Sequence, residues 1–593
     1  MKEDSYSGAV AQRDGSSRIA RCLVLAILAV YVAQCIWFIR TQSFTVDESD
    51  DIIAGVEAWR FGEFERWHNH PPLARLWFTL PLLGVDMKYE NRPEEAQAQQ
   101  FVHSGSRLDE ALQSYAKQAP GSEGWHLNEE AIPLSPGPEA WLYRTRGMNV
   151  VFGLGLLVLL WFAVRGLFSE SSATFVVGLA VFSPELVAHF SLATTDGAAT
   201  LFIFAGVMQF LRWWQRPGGA RTLLLGTMLG AMLIAKATAM PLVLLALLLA
   251  LILKPNQTAS SAGRLWEQIF WHPRLWNWGK TVGMAAVACL IVWASYFFHV
   301  SRVVFDKGSV TVHFAGYTKL LTYPMPTTKH FQLFIPACEY LTGLGMMFAE
   351  NMEGHRSFFL GQISETGGWK LYFPVAIGLK WPLIVLGLAL WGVLILVRQR
   401  PWRRDLLLMS IFPVVFFAIA IFGRINIGVR HVLPVYPFLL VYAAAPAEWL
   451  LKTRNWRWLL GLLLCLQAAD TLRYAPGYLS YFNVFVNPAR SYEFLSDSNV
   501  DWGQGLIALR KYQAEHPNET LHLAYFGQED PAWYGIRYVP LREGERATGT
   551  VVVSATHLSG QLLKSPASYH WVLGYRRKAI LDHCLYVFEV PDT

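Results

Sequence analysis

The chain has 593 residues, of which 53% are hydrophobic, 14% aromatic and only 16% charged. Soluble proteins carry roughly 25% charged residues, so this composition excludes a mostly aqueous surface, and with it intrinsic disorder, collagen and a small disulfide-stapled fold. The net charge of +6 would suit nucleic-acid binding only if the basic residues lay on a soluble face.

The first apolar run, residues 22–39, is long enough to cross a bilayer and follows Arg13, Arg18 and Arg21. Arg40 and polar sequence come after it rather than a small-residue cleavage site, so it reads as a retained helix with its N-terminus inside. Further apolar runs lie near 147–164, 172–191, 197–211, 280–298, 373–397, 406–422, 432–451 and 458–472. Residues 222–253 would make one helix about 48 Å long, too long for a bilayer without steep tilt, and Lys236 and Pro241 fall near its middle. Two short helices turning around Lys236 give eleven spans in all. Only that count puts the clusters Arg212/Arg216/Arg221, Lys254/Arg264/Arg274/Lys280, Arg398/Arg400/Arg403/Arg404 and Lys452/Arg454/Arg457 on the side of the N-terminus. The basic charge is therefore topogenic, and nucleic acid drops out as a partner.

The expected fold is a polytopic α-helical membrane protein of about eleven transmembrane helices, residues 1–472, with large outer loops at 41–143 and 299–372. Residues 473–593 are more polar and read as a small C-terminal extracytoplasmic α/β domain, with strand-like pieces at 521–526, 550–554 and 584–590. The cysteines show no CxxC spacing and mostly sit in apolar runs, which argues against a zinc site. Cys338 and Cys584 lie in polar sequence and are the one candidate pair.

The chemistry concentrates outside the spans. Thr45-Val46-Asp47-Glu48-Ser49-Asp50-Asp51 places four carboxylates within five residues, which repel one another unless cations or donors offset them. The plainer reading is an acidic helix start, with Asp47 as N-cap and Asp50 and Asp51 favouring the dipole. Residues 52–60 then read as an amphipathic segment lying in the membrane interface. Trp67-His68-Asn69-His70-Pro71-Pro72-Leu73-Ala74-Arg75 follows. His68 and His70 are two apart, so a divalent metal is conceivable there, although ordinary loop histidines are the commoner case; the sequence fixes neither metal nor cofactor.

These two segments resemble the first outer loop of the membrane-embedded GT-C glycosyltransferases, particularly the protein O-mannosyltransferase branch and its bacterial relatives, including aminoarabinose transferases. The resemblance continues at Pro184-Glu185-Leu186-Val187-Ala188-His189 with Thr194-Thr195-Asp196, and from Gly354-His355 to Gly361. It recurs from Gly367-Gly368-Trp369 through Lys380-Trp381-Pro382, and at Arg430-His431-Val432-Leu433-Pro434. Asp497-Ser498-Asn499-Val500-Asp501-Trp502 is similar to a tail block of bacterial members. One departure stands out: the 299–372 loop is too short for the β-trefoil domain of the eukaryotic enzymes.

The resemblance implies a GT-C-type enzyme of a bacterial inner membrane that moves a sugar from a polyprenyl-phosphate donor to a protein, lipid or glycan acceptor at the outer face. A carboxylate serves as general base, and cations rather than an acid receive the anionic leaving phosphate. By resemblance Asp47 is the base, Glu48 its neighbour and Asp196 a second active-site carboxylate. Candidate phosphate ligands are His70, Arg75, Lys380, Arg430 and His431. Lys380 reads as about two turns inside a span, where an ionisable residue is a functional candidate and snorkelling is the alternative. Arg430 lies outside against the positive-inside bias, as do Arg144 and Arg146, which face either the site or headgroups; Lys236 is left open. Asp497 and Asp501, beside Trp502, are structural carboxylates or acceptor ligands. The rival class is a transporter or flippase, but no internal repeat appears. Reporter fusions after Arg404 and after Pro591 should report opposite sides of the membrane; the same side for both would sink this topology.

Overall fold

In a computed structural model of the chain, residues 3–64, 70–84, 138–253, 278–314, 320–324, 330–398 and 403–592 are described. His68 and the basic segment at 254–277 lie outside them.

Every apolar run of the sequence is helical. Cys22–Thr41, Glu139–Leu167, Trp278–Ser295, Arg404–Phe422 and Val429–Lys452 are each long and apolar enough to cross a membrane alone. Two further candidates are bent pairs: Glu170–Val181 with Pro184–Phe190, at 67°, and Tyr372–Lys380 with Leu383–Arg398, at 116°. Gly219–Ala235 and Ala237–Ile252 are apolar but shorter. Lys236 between them is extended, with φ −158° and ψ 133°, so the over-long run does break where expected. Leucines and phenylalanines such as Leu244, Leu248, Leu390 and Phe422 point outward, more than half exposed, as lipid-facing side chains must.

The sharp bend corrects one expectation. Residues 373–397 are not a single span, because Pro382 disfavours helix at the residue before it and Trp381 is accordingly extended. Lys380 therefore ends a short helix rather than sitting deep in a long one.

A second correction concerns the first outer loop. The helix Val46–Phe61 is capped by Thr45, not Asp47: Glu48 accepts from the Thr45 backbone N–H in a capping box. The apolar face of this helix is turned into the protein, with Ile52, Ile53, Ala54, Val56 and Ala58 buried. It packs on the helix Leu73–Thr79 at Gly55, where a Cβ would stand 2.5 Å from the Arg75 carbonyl oxygen. That glycine lets the two backbones touch.

Two sheets flank the helices. Residues 299–372 hold four antiparallel strands, β1 (Val300–Asp306), β2 (Ser309–His313), β3 (Leu320–Pro324) and β4 (Phe331–Pro336), in the order β3-β2-β1-β4, followed by the hairpin β5 (Ser357–Phe359) and β6 (Gln362–Ser364). The tail carries a five-stranded mixed sheet in the order β10-β11-β9-β7-β8. Its members are β7 (Leu521–Ala524), β8 (Tyr538–Pro540), β9 (Gly549–Ser554), β10 (Arg576–Leu581) and β11 (Leu585–Val590), so the three expected strands are present and two were missed. All six cysteines are free, so Cys338 and Cys584 do not pair.

The tail is sewn to the first outer loop. Ser43 and Val46 donate backbone hydrogen bonds to Gln504 and Trp502, each 3.0 Å, and the Phe44 N–H reaches the Tyr534 hydroxyl at 3.2 Å. Beneath this seam Arg146 lies fully buried, with its Nη2 2.6 Å and its Nε 2.8 Å from the Glu48 carboxylate. Its Nη1 and Nη2 also donate to the Gln42 and Ser43 carbonyls, at 2.8 and 2.7 Å. Removing one partner of such a pair typically costs about 3–5 kcal/mol. Arg146→Met should therefore lower the thermal midpoint of the detergent-solubilised protein by several degrees, and an unchanged midpoint would contradict this accounting.

Candidate active site

The helix Val46–Phe61 advances about 100° per residue, so Asp47 and Asp51 share one face while Glu48 and Asp50 turn to others. Each of three carboxylates meets its own arginine. Glu48 takes Arg146 and also accepts from the Ala193 N–H at 2.7 Å, which leaves it in the protein interior. The expected neighbour of the base is thus a structural anchor facing away from it.

Asp51 takes Arg75, with Nε to Oδ1 at 2.7 Å, and His70 Nδ1 lies 3.2 Å from the same oxygen. Burial would raise the Asp51 carboxyl, but Arg75 and His70 together hold it below the ordinary range. Phe64, Pro72 and Tyr296 complete a narrow cleft around His70 and Arg75.

Asp47 takes Arg430, with Oδ2 2.7 Å from Nη1. The same Nη1 lies 3.5 Å from Asp196 Oδ2, and Asp196 is paired through its other oxygen with Lys236. Lys236, whose role was open from sequence, is brought here by the break between its two helices, and Asp196 sits in the first turn of the helix Thr195–Gln215. Arg430 Nε donates to Ser498 Oγ at 3.2 Å, and its guanidinium lies 4.0 Å from the centre of the Trp502 ring. Gly428 permits this approach, since a Cβ there would fall 2.1 Å from Ser498 Oγ. His431 stands close enough to Asp196, Lys236, Arg430 and His70 to feel their charges, and its buried Nε2 has no hydrogen-bond partner among the described residues.

Residues 496–504 form the wall opposite Asp47. Asp497 is buried with φ +57°, a left-handed conformation that is costly outside glycine. Burial pushes its carboxyl above the usual range against the pull of Arg430 and of the Ser498 N–H. Asp501 instead faces the tail sheet, accepting from the Gly503 and Thr556 N–H groups at 3.2 and 3.3 Å. It is a brace for the loop.

Lys380 is the clearest departure from expectation. Its Nζ donates to the Leu479 and Asn499 carbonyls at 2.8 and 2.6 Å and lies 3.5 Å from Glu185 Oε1. Two carbonyls accept from this cation and a buried carboxylate faces it, so it ties down the 496–504 loop rather than presenting charge to a ligand. Among the described residues, no group of three His, Cys, Asp or Glu side chains is arranged to hold a metal.

The site thus gathers Asp47, Asp196, Arg430, His431, Asp497 and Trp502, with His70 and Arg75 adjoining, and excludes Glu48, Lys380 and Asp501. Sequence reading passed over Ser498, the pairing of Lys236 with Asp196, and Asp51 as the carboxylate for Arg75. The spacing of Asp47 and Asp51, one helical turn apart, was the available signal for the last.

Residues 144–266 match the family model described as dolichyl-phosphate-mannose-protein mannosyltransferase, a stretch that contains Arg146, Asp196 and Lys236. No curated protein matches the chain. Among solved structures it is similar to ArnT from Cupriavidus metallidurans in the apo state, with 12% identity, 96% of this chain and 98% of that chain covered, and a TM-score of 0.43. The same protein bound to undecaprenyl phosphate gives 12% identity, 95% and 97% coverage and a TM-score of 0.41. The Saccharomyces cerevisiae protein O-mannosyltransferase Pmt1-Pmt2 complex bound to the sugar donor gives 10% identity, 77% and 90% coverage and a TM-score of 0.44.

Burial pushes the Asp501 carboxyl from 3.8 up to about 7, despite its two backbone donors. Between those values the unfolded chain has lost a proton that the folded chain keeps, so stability falls as pH rises through the window and is level above it. Asp501→Asn keeps an acceptor for Gly503 and removes the titration. Its thermal midpoint should therefore drop less than that of the wild type between pH 5 and pH 8; an equal drop would locate the titration elsewhere.

Proposed function

We propose that the chain is a GT-C-type glycosyltransferase that moves a sugar from a polyprenyl-phosphate donor to an acceptor hydroxyl, with Asp47 as general base. The observation that carries the reading is the unequal exposure of the charged trio. The Asp47 side chain is 28% exposed, whereas Asp196 and Arg430 are 1% and 8% exposed. Only Asp47 offers an oxygen to a substrate while its neighbours are held in place behind it. The match of residues 144–266 to a family named for a lipid-phosphate sugar donor supports the same chemistry.

In this mechanism Asp47 takes the proton of the acceptor hydroxyl as its oxygen bonds to the anomeric carbon. The bond from that carbon to the phosphate oxygen breaks, and the phosphate leaves with the electron pair. Cations at the site lower the cost of that charge. Arg75 and His70 stand where such a phosphate would lie, beside the aromatic walls given by Phe64 and Tyr296, with the His431 ring as a hydrogen-bonding neighbour rather than a charge. The cleft is narrow here, and His70, with 30% of its side chain exposed, is the member free to swing outward. Arg430 holds Asp47 and Asp196 at fixed separation, and Asp497 with Trp502 forms the acceptor side.

The N-terminus lies in the cytoplasm in this reading, with the tail sheet and the site on the outer face of a bacterial inner membrane. The sugar, polyprenol and acceptor would be identified by comparing cell-envelope glycans with and without the chain.

Asp47→Asn decides the central claim. Thr45 and Glu48 make the cap, so the helix start survives, and loss of a general base typically costs about 10² to 10⁴ in rate. Sugar transfer by the purified variant should fall by that amount with an unchanged thermal midpoint. Transfer near the wild-type rate would refute the role of Asp47.

A further inference from the structure

Away from the Asp47 site, a cavity of about 270 Å³ opens where the tail meets the ends of two helices. Thr41, the last residue of the helix Glu3–Thr41, lines it, as does Tyr474, which follows the helix Arg457–Leu472. Thr41 also ends the candidate span Cys22–Thr41, so the cavity sits at the level of lipid headgroups. The tail contributes Lys511 and the β10–β11 turn residues Asp582 and His583.

Asp582 and His583 both take left-handed backbone, with φ +48° and +58°, as the central pair of a tight hairpin turn closed by the Cys584 N–H on the Leu581 carbonyl. The turn presses Asp582 against Gly477, where a Cβ would come within 2.7 Å of Oδ1. Oδ1 accepts from Gln42 Nε2 at 3.1 Å, whereas the buried Oδ2 has no hydrogen-bond partner among the described residues. Burial pushes this carboxyl up to about 7, with Gln42 and the more distant Lys511 offsetting it only in part. A buried carboxylate oxygen of this kind calls for a donor, and a cationic one most strongly. Lys511, exposed at the rim, has no ion pair among the described residues. Tyr474 and His583 pack with ring centroids 4.7 Å apart and planes tilted by 44°, forming a wall.

We propose that this cavity binds an aminophosphate group, whose primary ammonium donates to Asp582 Oδ2 and whose phosphate faces Lys511. The volume falls just below the roughly 300 Å³ at which drug-sized ligand pockets begin, which suits a lipid headgroup. Such a group comes either from an aminophospholipid of the surrounding leaflet or from a free aminophosphate. Gln42 links the cavity to the first outer loop, because its carbonyl also accepts from Arg146.

The test uses the full chain in nanodiscs of phosphatidylethanolamine, phosphatidylcholine or phosphatidylglycerol, followed by native mass spectrometry of retained lipid. Phosphatidylcholine has no N–H to donate, and phosphatidylglycerol has no cation. Phosphatidylethanolamine should be retained over both by about tenfold or more, the scale of one charge-assisted hydrogen bond. Asp582→Asn, which keeps the Gln42 contact and suits a left-handed turn, should abolish the preference, and Lys511→Ala, at an exposed position of its helix, should weaken it. A rise in thermal midpoint with soluble phosphoethanolamine, lost in Asp582→Asn, would assign the site to the free group as well; a lipid preference without that rise would assign it to the headgroup alone. Equal retention of the three lipids with no response to phosphoethanolamine, or a preference that survives both substitutions, would overturn the proposal.

Discussion

Four carboxylates crowd the first two turns of the helix Val46–Phe61, and the architecture around them follows from keeping them apart. Like charges a few ångströms from one another in a partly buried site are costly. The helical repeat sends them to different faces, and an arginine from a different stretch of chain meets three of them: Arg146 at Glu48, Arg75 at Asp51 and Arg430 at Asp47. Each pairing brings its own element with it. The helix Pro138–Leu167 comes with Arg146, the short helix Leu73–Thr79 with Arg75, and the segment Val429–Val435 with Arg430. Electrostatic demand at one helix start thus organises the elements packed around it.

The arginine at Asp47 needs support of its own, and the tail supplies it. Trp502 lies under the guanidinium and Ser498 accepts from its Nε. The loop carrying both is fixed from below by Lys380 at the Asn499 carbonyl and from behind by Thr556, whose hydroxyl donates to the Asp501 carbonyl at 2.9 Å. The tail is therefore a part of the site. A division of the chain at residue 473, natural on polarity, passes between Arg430 and the residues that hold it.

Much of the helical plan was legible because apolar runs of span length have few alternatives, and the break at Lys236 was legible because a 32-residue run exceeds what a bilayer accommodates. The 116° bend at Lys380 was not, although Pro382 marked it, since hydropathy averages over a turn. In the 299–372 sheet, β4 escaped for a related reason: it exposes Phe331, Leu333 and Phe334 together, without clean alternation. At the site, residue types were legible and partners were not. Lys380 and Arg430 are both cations in apolar surroundings. Only tertiary contacts reveal that one is consumed by backbone carbonyls while the other faces carboxylates.

That distinction between consumed and available charge also separates the carboxylates. A general base must gain a proton and lose it again in each cycle. Protonating Glu48 would strand Arg146 in the interior and weaken the bond from the Ala193 N–H, and protonating Asp196 would leave Lys236 without its counter-ion. Both changes carry the penalty of an uncompensated buried charge. Asp51 is held likewise by Arg75 and His70. Asp47 has one arginine partner among the described residues, and that partner has Asp196 as a second counter-ion and the Trp502 face as a further contact. When Asp47 takes a proton, Arg430 stays compensated. In the proposed mechanism the surrounding pairs thus keep their charges fixed, and the change of protonation state falls to Asp47, whose side chain is partly exposed.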